Sequence, residues 1–194
     1  MKKKHTELEA HFLNIDPQKL HEKLMKVGAT DLGEDMYKDI MLYDKELTWM
    51  KTYKFFRIRS SSKETKLGFK NFQYKENPPV PSSKPEVKEI EIIVDSPEKA
   101  LLILEEAGFV AYRFQEKKRH SYKLGNVMID VDTWPSTPPY AEIEGNSEKE
   151  IRAVAEMLGF NWKDAVFRGA GYIIEQYLPV KVRELRYLTF SRIE

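Results

Sequence analysis

Three segments of this chain repeat one pattern of apolar and polar positions. Each begins with acidic and apolar residues in alternation, which is typical of a strand with one charged face. A helix-capping residue follows (Asp16, Ser96 or Ser147), and apolar residues then recur at helical spacing up to a glycine, which commonly ends a helix. The pattern therefore predicts three strand–helix–turn units.

Most of the other patterned segments predict strands. They are residues 36–43, 53–59, 66–74, 109–122 and 127–134, with proline-rich stretches at 77–85 and 135–139. Residues 165–177 predict a further helix, broken or kinked around 169–171, whereas residues 181–194 show no pattern that predicts an element. Because strands dominate and no change in composition marks a boundary, we expect one α+β domain over residues 1–194, built mainly from antiparallel strands.

The charged residues of the predicted strands segregate by sign. Side chains alternate between the two faces of a strand, so residues at i and i+2 share a face. The acidic pairs are Glu7/Glu9, Glu89/Glu91, Asp130/Asp132 and Glu142/Glu144, and the basic sets are Arg57/Arg59, Lys66/Lys70 and Lys117/Arg119. A solvated strand face would also carry such pairs. Three of the acidic pairs, however, recur in register with the repeated units, and this favours a functional role.

The short stretch 135–139 lies between two predicted strands and is expected to close a hairpin. The hairpin would bring Asp130 and Asp132 beside Glu142 and Glu144. A row of carboxylates repels itself unless cations or a metal ion balance it. Carboxylates suit a hard divalent cation such as Mg²⁺ or Mn²⁺, and clustered Arg and Lys suit phosphate oxygens. A barrel with both sets on its inner wall would therefore suit a triphosphate bound together with its metal ion.

The composition narrows the function classes. The chain has 194 residues, with 32 Lys and Arg against 31 Asp and Glu, so it lacks the basic excess of a general nucleic-acid-binding protein. The absence of cysteine excludes a disulfide scaffold, thiol catalysis and cysteine-ligated metal. No apolar segment follows the N-terminal lysines, and no stretch has the length of a membrane span. We expect a cytoplasmic protein that binds neither nucleic acid nor a membrane.

Six short motifs occur in order between residues 5 and 145. They are Glu7-Leu8-Glu9-Ala10-His11, Arg57-Ile58-Arg59, the strand from Lys66 to Lys70, Glu89-Ile90-Glu91, the basic strand Lys117-Lys118-Arg119-His120-Ser121-Tyr122, and Asp132 followed by Glu142-Ile143-Glu144. In this order the motifs resemble those of the CYTH superfamily, the triphosphate tunnel metalloenzymes, which include class IV adenylyl cyclases and thiamine triphosphatases.

The resemblance implies an eight-stranded antiparallel β-barrel, or tunnel, with helices packed on its outside. It implies metal binding by Glu7, Glu9, Asp132, Glu142 and Glu144, with Glu89 and Glu91 as further ligands or as partners that orient the bases. It implies triphosphate binding by Arg57, Arg59, Lys70, Lys117 and Arg119. From their strand faces we add Asp130 to the candidate metal ligands and Lys66 to the candidate triphosphate ligands. Arg168 and Lys181 are weaker candidates near the C-terminus.

His11 stands where the family has a lysine. Period-2 alternation keeps it on the face of Glu7 and Glu9, and these three are the candidate catalytic residues. A neutral imidazole cannot hold phosphate as a permanent charge, but it can act as a general base or, when protonated, as a weaker phosphate ligand. The alternative is a tolerated substitution that lowers activity.

Three functions are compatible with these residues. The first is metal-dependent hydrolysis of a linear triphosphate such as tripolyphosphate, thiamine triphosphate or ATP. The second is a class IV adenylate cyclase that converts ATP to cyclic AMP, and the third is a triphosphate-binding module without catalysis. We expect the aromatic residues to serve packing, with Trp134 and Tyr140 as candidates for the tunnel rim. The oligomeric state stays open, a homodimer being one alternative.

Overall fold

The computed structural model describes residues 8–73 and 86–194. The strands are β1 (Leu8–Phe12), β2 (Thr30–Asp44), β3 (Lys54–Ser60), β4 (Thr65–Gln73), β5 (Glu86–Val94), β6 (Phe109–Leu124), β7 (Val127–Thr133), β8 (Tyr140–Gly145), β9 (Tyr187–Thr189) and β10 (Arg192–Ile193). The helices are α1 (Pro17–Lys26), α2 (Thr48–Lys51), α3 (Pro97–Glu106), α4 (Glu148–Met157) and α5 (Ala170–Ile174), with 3₁₀ turns at Trp162–Asp164 and Val182–Glu184.

Eight antiparallel strands form one curled sheet in the order β1-β8-β7-β6-β2-β3-β4-β5. Both edge strands contribute side chains to one concave cavity, so the sheet bends into a half-barrel. The described residues of β1 and β5 do not pair with each other. The expected α+β class, with eight antiparallel strands and helices packed outside, is confirmed.

Most of the convex face of the sheet is apolar and lies under helices, although Ile90 and Ile92 of β5 are exposed. Under α1 and α4, the sheet residues Ile129 and Ile143 pack with Leu24 and Ile151 in a core from which water is excluded. A smaller core under α3 joins Leu42, Ile58 and Leu104, among other residues. The charged positions of the same strands therefore face the concave side.

The three predicted strand–helix–turn units are β1–α1, β5–α3 and β8–α4. The side chain of Asp16 accepts hydrogen bonds from the backbone N–H groups of Gln18 and Lys19, and Ser96 and Ser147 cap the other two helices. The glycine after each helix has a positive φ, 81° at Gly28, which a residue with a Cβ rarely adopts.

The hairpin predicted at residues 135–139 joins β7 to β8. Its register pairs Asp130 with Glu142 and Asp132 with Tyr140, and it thus brings the two acidic strands together. Trp134 and Tyr140 are almost fully buried and bonded to each other through the indole N–H and the phenol oxygen. Both residues therefore serve packing, as expected for the aromatic residues in general, and the alternative of a position at the tunnel rim was wrong.

The prediction of a helix over residues 165–177 was also wrong in extent. Only Ala170–Ile174 is α-helical, because Val166 forms a two-way backbone bridge with His11 at the edge of β1. Residues 181–194, for which no element was predicted, include β9, which pairs in parallel with β6. The strand β2 is longer than predicted, since it pairs with β6 along nearly all of its length.

The proline-rich stretch 77–85 lies outside the described residues. Within the described residues, no helix is both long and apolar enough to cross a membrane.

We predict that Leu24→Ala destabilises the fold by about 3–5 kcal/mol, because Leu24 is fully buried between α1 and the sheet. Leu102→Ala is the matched control, since Leu102 is exposed on α3 and the same change should cost less than about 1 kcal/mol. Urea unfolding followed by circular dichroism measures both. Equal losses would contradict the assignment of this core.

Candidate active site

The concave face of the sheet encloses a cavity of about 830 Å³. This volume lies in the range of pockets that hold small organic molecules. Strands β1 to β8 all line it, and most of them do so with side chains at i, i+2 spacing. Of the predicted site residues, the lining includes Glu9, His11, Arg57, Arg59, Lys66, Lys70, Glu89, Glu91, Lys117, Arg119, Asp132, Glu142 and Glu144, together with Arg168 and Lys181.

Two of the predicted residues are not part of this lining. Glu7 lies outside the described residues. Asp130 is buried beside the cavity, where one oxygen forms a 2.5 Å ion pair with Arg119. The other oxygen of Asp130 has no hydrogen-bond partner among the described residues.

Asp132 is the most enclosed carboxylate of the site, with no exposed surface. It accepts a 2.6 Å hydrogen bond from Lys117 Nζ and bonds of 2.6 and 2.8 Å from Arg119. Burial raises the pKa of a carboxyl group, but Arg119 and Lys117 outweigh it and lower the pKa of Asp132. Because both oxygens are engaged by cations, this contact pattern suits a residue that positions Lys117 and Arg119.

Lys117 is likewise buried, with 4% of its surface exposed. Burial first, and then the neighbouring charge of Arg119, lower its pKa to about 8. Its ammonium group also lies 5.8 Å from the ring centre of Tyr37 and 5.6 Å from that of Trp134. The two aromatic rings and the carboxylate of Asp132 stabilise the positive charge of Lys117 although it is buried.

A second buried pair joins Arg59 to Asp39. The guanidinium donates two hydrogen bonds of 2.7 Å to the two carboxylate oxygens of Asp39, and Gln115 adds a third at 3.0 Å. Although burial opposes it, the charge of Arg59 holds the pKa of Asp39 well below its ordinary value. Asp39 thereby fixes the direction in which Arg59 faces the cavity.

Beside β5, the bases pair with the acidic motif Glu89/Glu91. Arg57 lies 3.5 Å from Glu89 and 3.0 Å from Glu91, and Lys70 Nζ lies 2.7 Å from Glu89. Lys66 pairs instead with Glu64, at 2.9 Å. The sequence left two interpretations open for Glu89 and Glu91, as metal ligands or as partners that orient the basic side chains. These contacts favour the second interpretation.

Glu9, His11 and Glu142 form a compact cluster where β1 meets β8. Each offers one ligand atom, and these atoms lie within 4.8 Å of one another. His11 Nε2 is 3.2 Å from Glu142, whose other oxygen accepts a 2.9 Å bond from Arg119. Burial, followed by the charge of Glu142, raises the pKa of Glu9. Two carboxylates and an imidazole at this spacing fit a divalent cation.

The cavity lining is almost balanced in charge. Among the described residues it carries ten basic and eight acidic side chains. A polyanion alone would be attracted by the basic side chains but repelled by nearly as many acidic ones. If it bound together with a divalent cation, the anion could pair with the basic side chains and the cation with the acidic ones. The site's composition therefore suits a metal-chelated anion.

One end of the cavity is rich in aromatic side chains, and Arg113 reaches it through a 3.4 Å hydrogen bond to the hydroxyl of Tyr43. Tyr43, Phe55 and Phe72 line it, with ring centres 6.4 Å apart for Tyr43 and Phe55 and 6.1 Å for Phe55 and Phe72. Along β3 the inward side chains change from Arg59 and Arg57 to Phe55, so the wall runs from cationic to aromatic.

Sequence reasoning missed three polar residues of this site and one further feature. Asp39, Gln115 and Tyr37 lie on the inward faces of β2 and β6, in register with residues that were predicted. For Gln115 the available signal was the i, i+2 alternation, which places it on the face of Lys117, whereas no predicted site residue shares a strand with Asp39 and Tyr37. The aromatic end was also missed, because its residues come from three different strands.

No protein-family model matches this sequence, and no curated protein matches it. Solved structures do share its fold. A candidate adenylate cyclase from Vibrio parahaemolyticus has a TM-score of 0.74 at 13% identity, over 89% of this chain and 99% of that chain. The PH1012 protein of Pyrococcus horikoshii OT3 has a TM-score of 0.67 at 23% identity, over 84% and 96%.

HpAC1 from Hippeastrum, a candidate adenylyl cyclase described as having a dominant triphosphatase activity, has a TM-score of 0.59 at 14% identity, over 87% of this chain and 92% of that chain. At these identities the likeness establishes the fold. This fold is the one that the resemblance of the ordered sequence motifs implied.

We predict that Asp39→Asn destabilises the protein by about 3–5 kcal/mol near pH 7, because Arg59 would lose its buried counter-ion. The pKa of Asp39 is lowered by folding, so its contribution is present above about pH 4 and is lost as the pH falls below that value. When the pH is lowered from about 4 to 2, the free energy of unfolding should therefore fall less in the variant than in the parent protein.

Urea unfolding across this pH range is the measurement. Asp164→Asn is the control, because Asp164 is exposed and should change stability by less than about 0.5 kcal/mol. An acid slope in Asp39→Asn equal to that of the parent would contradict the assigned ion pair.

Proposed function

We propose that this protein is a metal-dependent phosphohydrolase that acts on a linear triphosphate bound in the concave cavity. The proposal is carried by one observation: the six candidate phosphate-binding cations are each paired with a carboxylate, and they lie in the same cavity as the Glu9, His11 and Glu142 cluster. Phosphoryl transfer depends mainly on positioning and charge neutralisation, and this arrangement supplies both.

The cluster would hold the divalent cation, Mg²⁺ or Mn²⁺, with Glu144 paired opposite Glu9 on the neighbouring strand. When bound, such an ion supplies charge for phosphoryl oxygens and a more acidic water. The other metal-ligand predictions, for Glu7, Glu89, Glu91, Asp130 and Asp132, stay predictions.

Three arginines and three lysines of the cavity would bind the phosphate chain. Arg57, Arg59 and Arg119 present planar forks that match phosphate oxygens, and Lys66, Lys70 and Lys117 add compact charges. Since Asp39 holds Arg59 and Asp132 holds Arg119, the forks need little reordering when substrate enters. This preorganisation lowers the cost of binding and directs charge toward the phosphorus under attack.

The aromatic end of the cavity favours an organic triphosphate over an inorganic one. Beyond the charged part of the wall, Tyr43, Phe55 and Phe72 offer ring faces and edges to a planar group. Thiamine triphosphate and ATP both carry such a group, so a class IV adenylate cyclase is the second candidate. A binding module without turnover is the third.

Turnover of tripolyphosphate, thiamine triphosphate and ATP, each with Mg²⁺ and with Mn²⁺, separates these candidates. We expect release of inorganic phosphate that stops when a chelator removes the metal. Cyclic AMP from ATP would support the cyclase instead, and tight binding with no product would support the binding module. A cytoplasmic location and a homodimer stay predictions.

We predict that Glu9→Gln lowers kcat about 100-fold or more, because a neutral amide weakens the metal cluster. The control is Glu22→Gln, since Glu22 is exposed on α1 and should leave kcat unchanged. Phosphate release measures activity, and circular dichroism verifies the fold of both variants. Retained turnover in Glu9→Gln would remove Glu9 from the metal site.

We predict that Phe55→Leu raises KM for the organic triphosphate about tenfold and leaves KM for tripolyphosphate unchanged, because only the organic group reaches the aromatic end. Phe190→Leu is the control, because Phe190 is exposed away from the cavity. An equal rise in KM for both substrates would indicate that Phe55 supports the wall and does not contact an organic group.

A further inference from the structure

His11 is buried in the wall of the cavity and is held there by contacts on several sides. It is 1% exposed, lies edge-on to Tyr140 with ring centres 5.6 Å apart, and is fixed by the two-way backbone bridge to Val166. A side chain on a flexible surface would sample many orientations, whereas these contacts restrict the imidazole to one. The ring is therefore positioned as a functional group would be.

The two ring nitrogens of His11 have different partners. Nδ1 is 3.2 Å from the carbonyl oxygen of Val166, and a carbonyl only accepts hydrogen bonds, so Nδ1 carries a hydrogen and donates it. Nε2 faces the cluster, where it donates to the carboxylate of Glu142 at 3.2 Å, and a bound cation would take the place of that proton. Metal-ligating histidines commonly bond a backbone carbonyl through one nitrogen and bind the metal through the other.

Of the two carboxylates beside His11, Glu142 is paired with Arg119, whereas Glu9 has no close cation among the described residues other than His11 itself. Glu9 makes no ion pair within 4 Å to any other residue in the described ranges, and its nearest charged neighbours include the like-charged Glu142. Lys70 and Arg119 act on Glu9 only at longer range, since both engage other carboxylates. A divalent ion among Glu9, His11 and Glu142 would relieve this repulsion.

We propose that His11 Nε2 is a direct metal ligand, so that this cavity holds a mixed nitrogen and oxygen site that prefers a divalent transition cation to Mg²⁺. The inference rests on the proposed metal-dependent function and deepens it by naming the class of metal. Imidazole favours transition ions over Mg²⁺, which keeps to oxygen ligands and water. The lysine that the family has at this position carries no lone pair when protonated, so it can bind phosphate but not a metal ion. The neutral imidazole of His11 has a lone pair on Nε2 and can bind the metal ion instead.

Pulsed electron paramagnetic resonance of Mn²⁺ bound to the full chain tests the site without relying on activity. We expect a ¹⁴N coupling from a directly bound imidazole in the parent protein and in His21→Gln. His21 is the matched control, because it lies on α1 outside the cavity and bonds Tyr122. The coupling should disappear in His11→Gln and in His11→Lys.

Calorimetric titration of the metal-free proteins with Co²⁺ and Mg²⁺ gives the selectivity. His11→Gln should weaken Co²⁺ binding about 100-fold and Mg²⁺ binding less than about threefold, by analogy with the loss of other metal-site partners. Because the ¹⁴N coupling is measured in the parent protein, the test does not depend on the folding of a variant.

The outcomes separate this inference from the proposed function. Bound Mn²⁺ with no ¹⁴N coupling, or equal weakening of Co²⁺ and Mg²⁺ binding in His11→Gln, would overturn the inference even if triphosphate turnover persists. A ¹⁴N coupling that depends on His11 in a protein without turnover would uphold the metal site and overturn the hydrolase. Absence of any metal binding would overturn both.

Discussion

The pairing of buried opposite charges is the constraint on which the interior of this protein depends. Curling the sheet withdraws its concave face from bulk water, and an unpaired charge there costs several kcal/mol. In this protein two buried carboxylates each accept hydrogen bonds from at least two side chains. Asp132 is bonded by Lys117 and Arg119, and Asp39 by Arg59 and Gln115. The same bonds leave the cations with fixed directions, which is what the proposed binding of phosphate requires.

The two faces of the sheet have different roles. The convex face stabilises the fold, and the concave face forms the charged cavity. The convex face buries Ile129, Ile143 and their neighbours under helices, and this apolar burial supplies the stability that the polar concave face cannot. The C-terminal segment then lines part of the cavity: Val182 accepts a hydrogen bond from Arg113 and packs with Ile174. A charged cavity is thus supported from behind and from one side by apolar cores.

Local rules predicted much of this arrangement. The caps at Asp16, Ser96 and Ser147 defined three helix starts, because a side-chain acceptor for free N–H groups is a local requirement. The helix predicted over residues 165–177 failed because Val166 pairs with His11, 155 positions earlier. Asp39 was missed because a single acid on a strand gives no signal until Arg59 is seen beside it.

The sequence by itself determined which residues share a strand face, and hence that acids and bases would lie in rows, because the period of two is a property of the strand backbone. It also indicated the α+β class and the order of the motifs. Only the tertiary structure decided which acid meets which base, that Asp130 lies behind the lining, and that Glu9, His11 and Glu142 form one cluster. These are distances between strands far apart in the chain, and the strand order and curl of the sheet decide them.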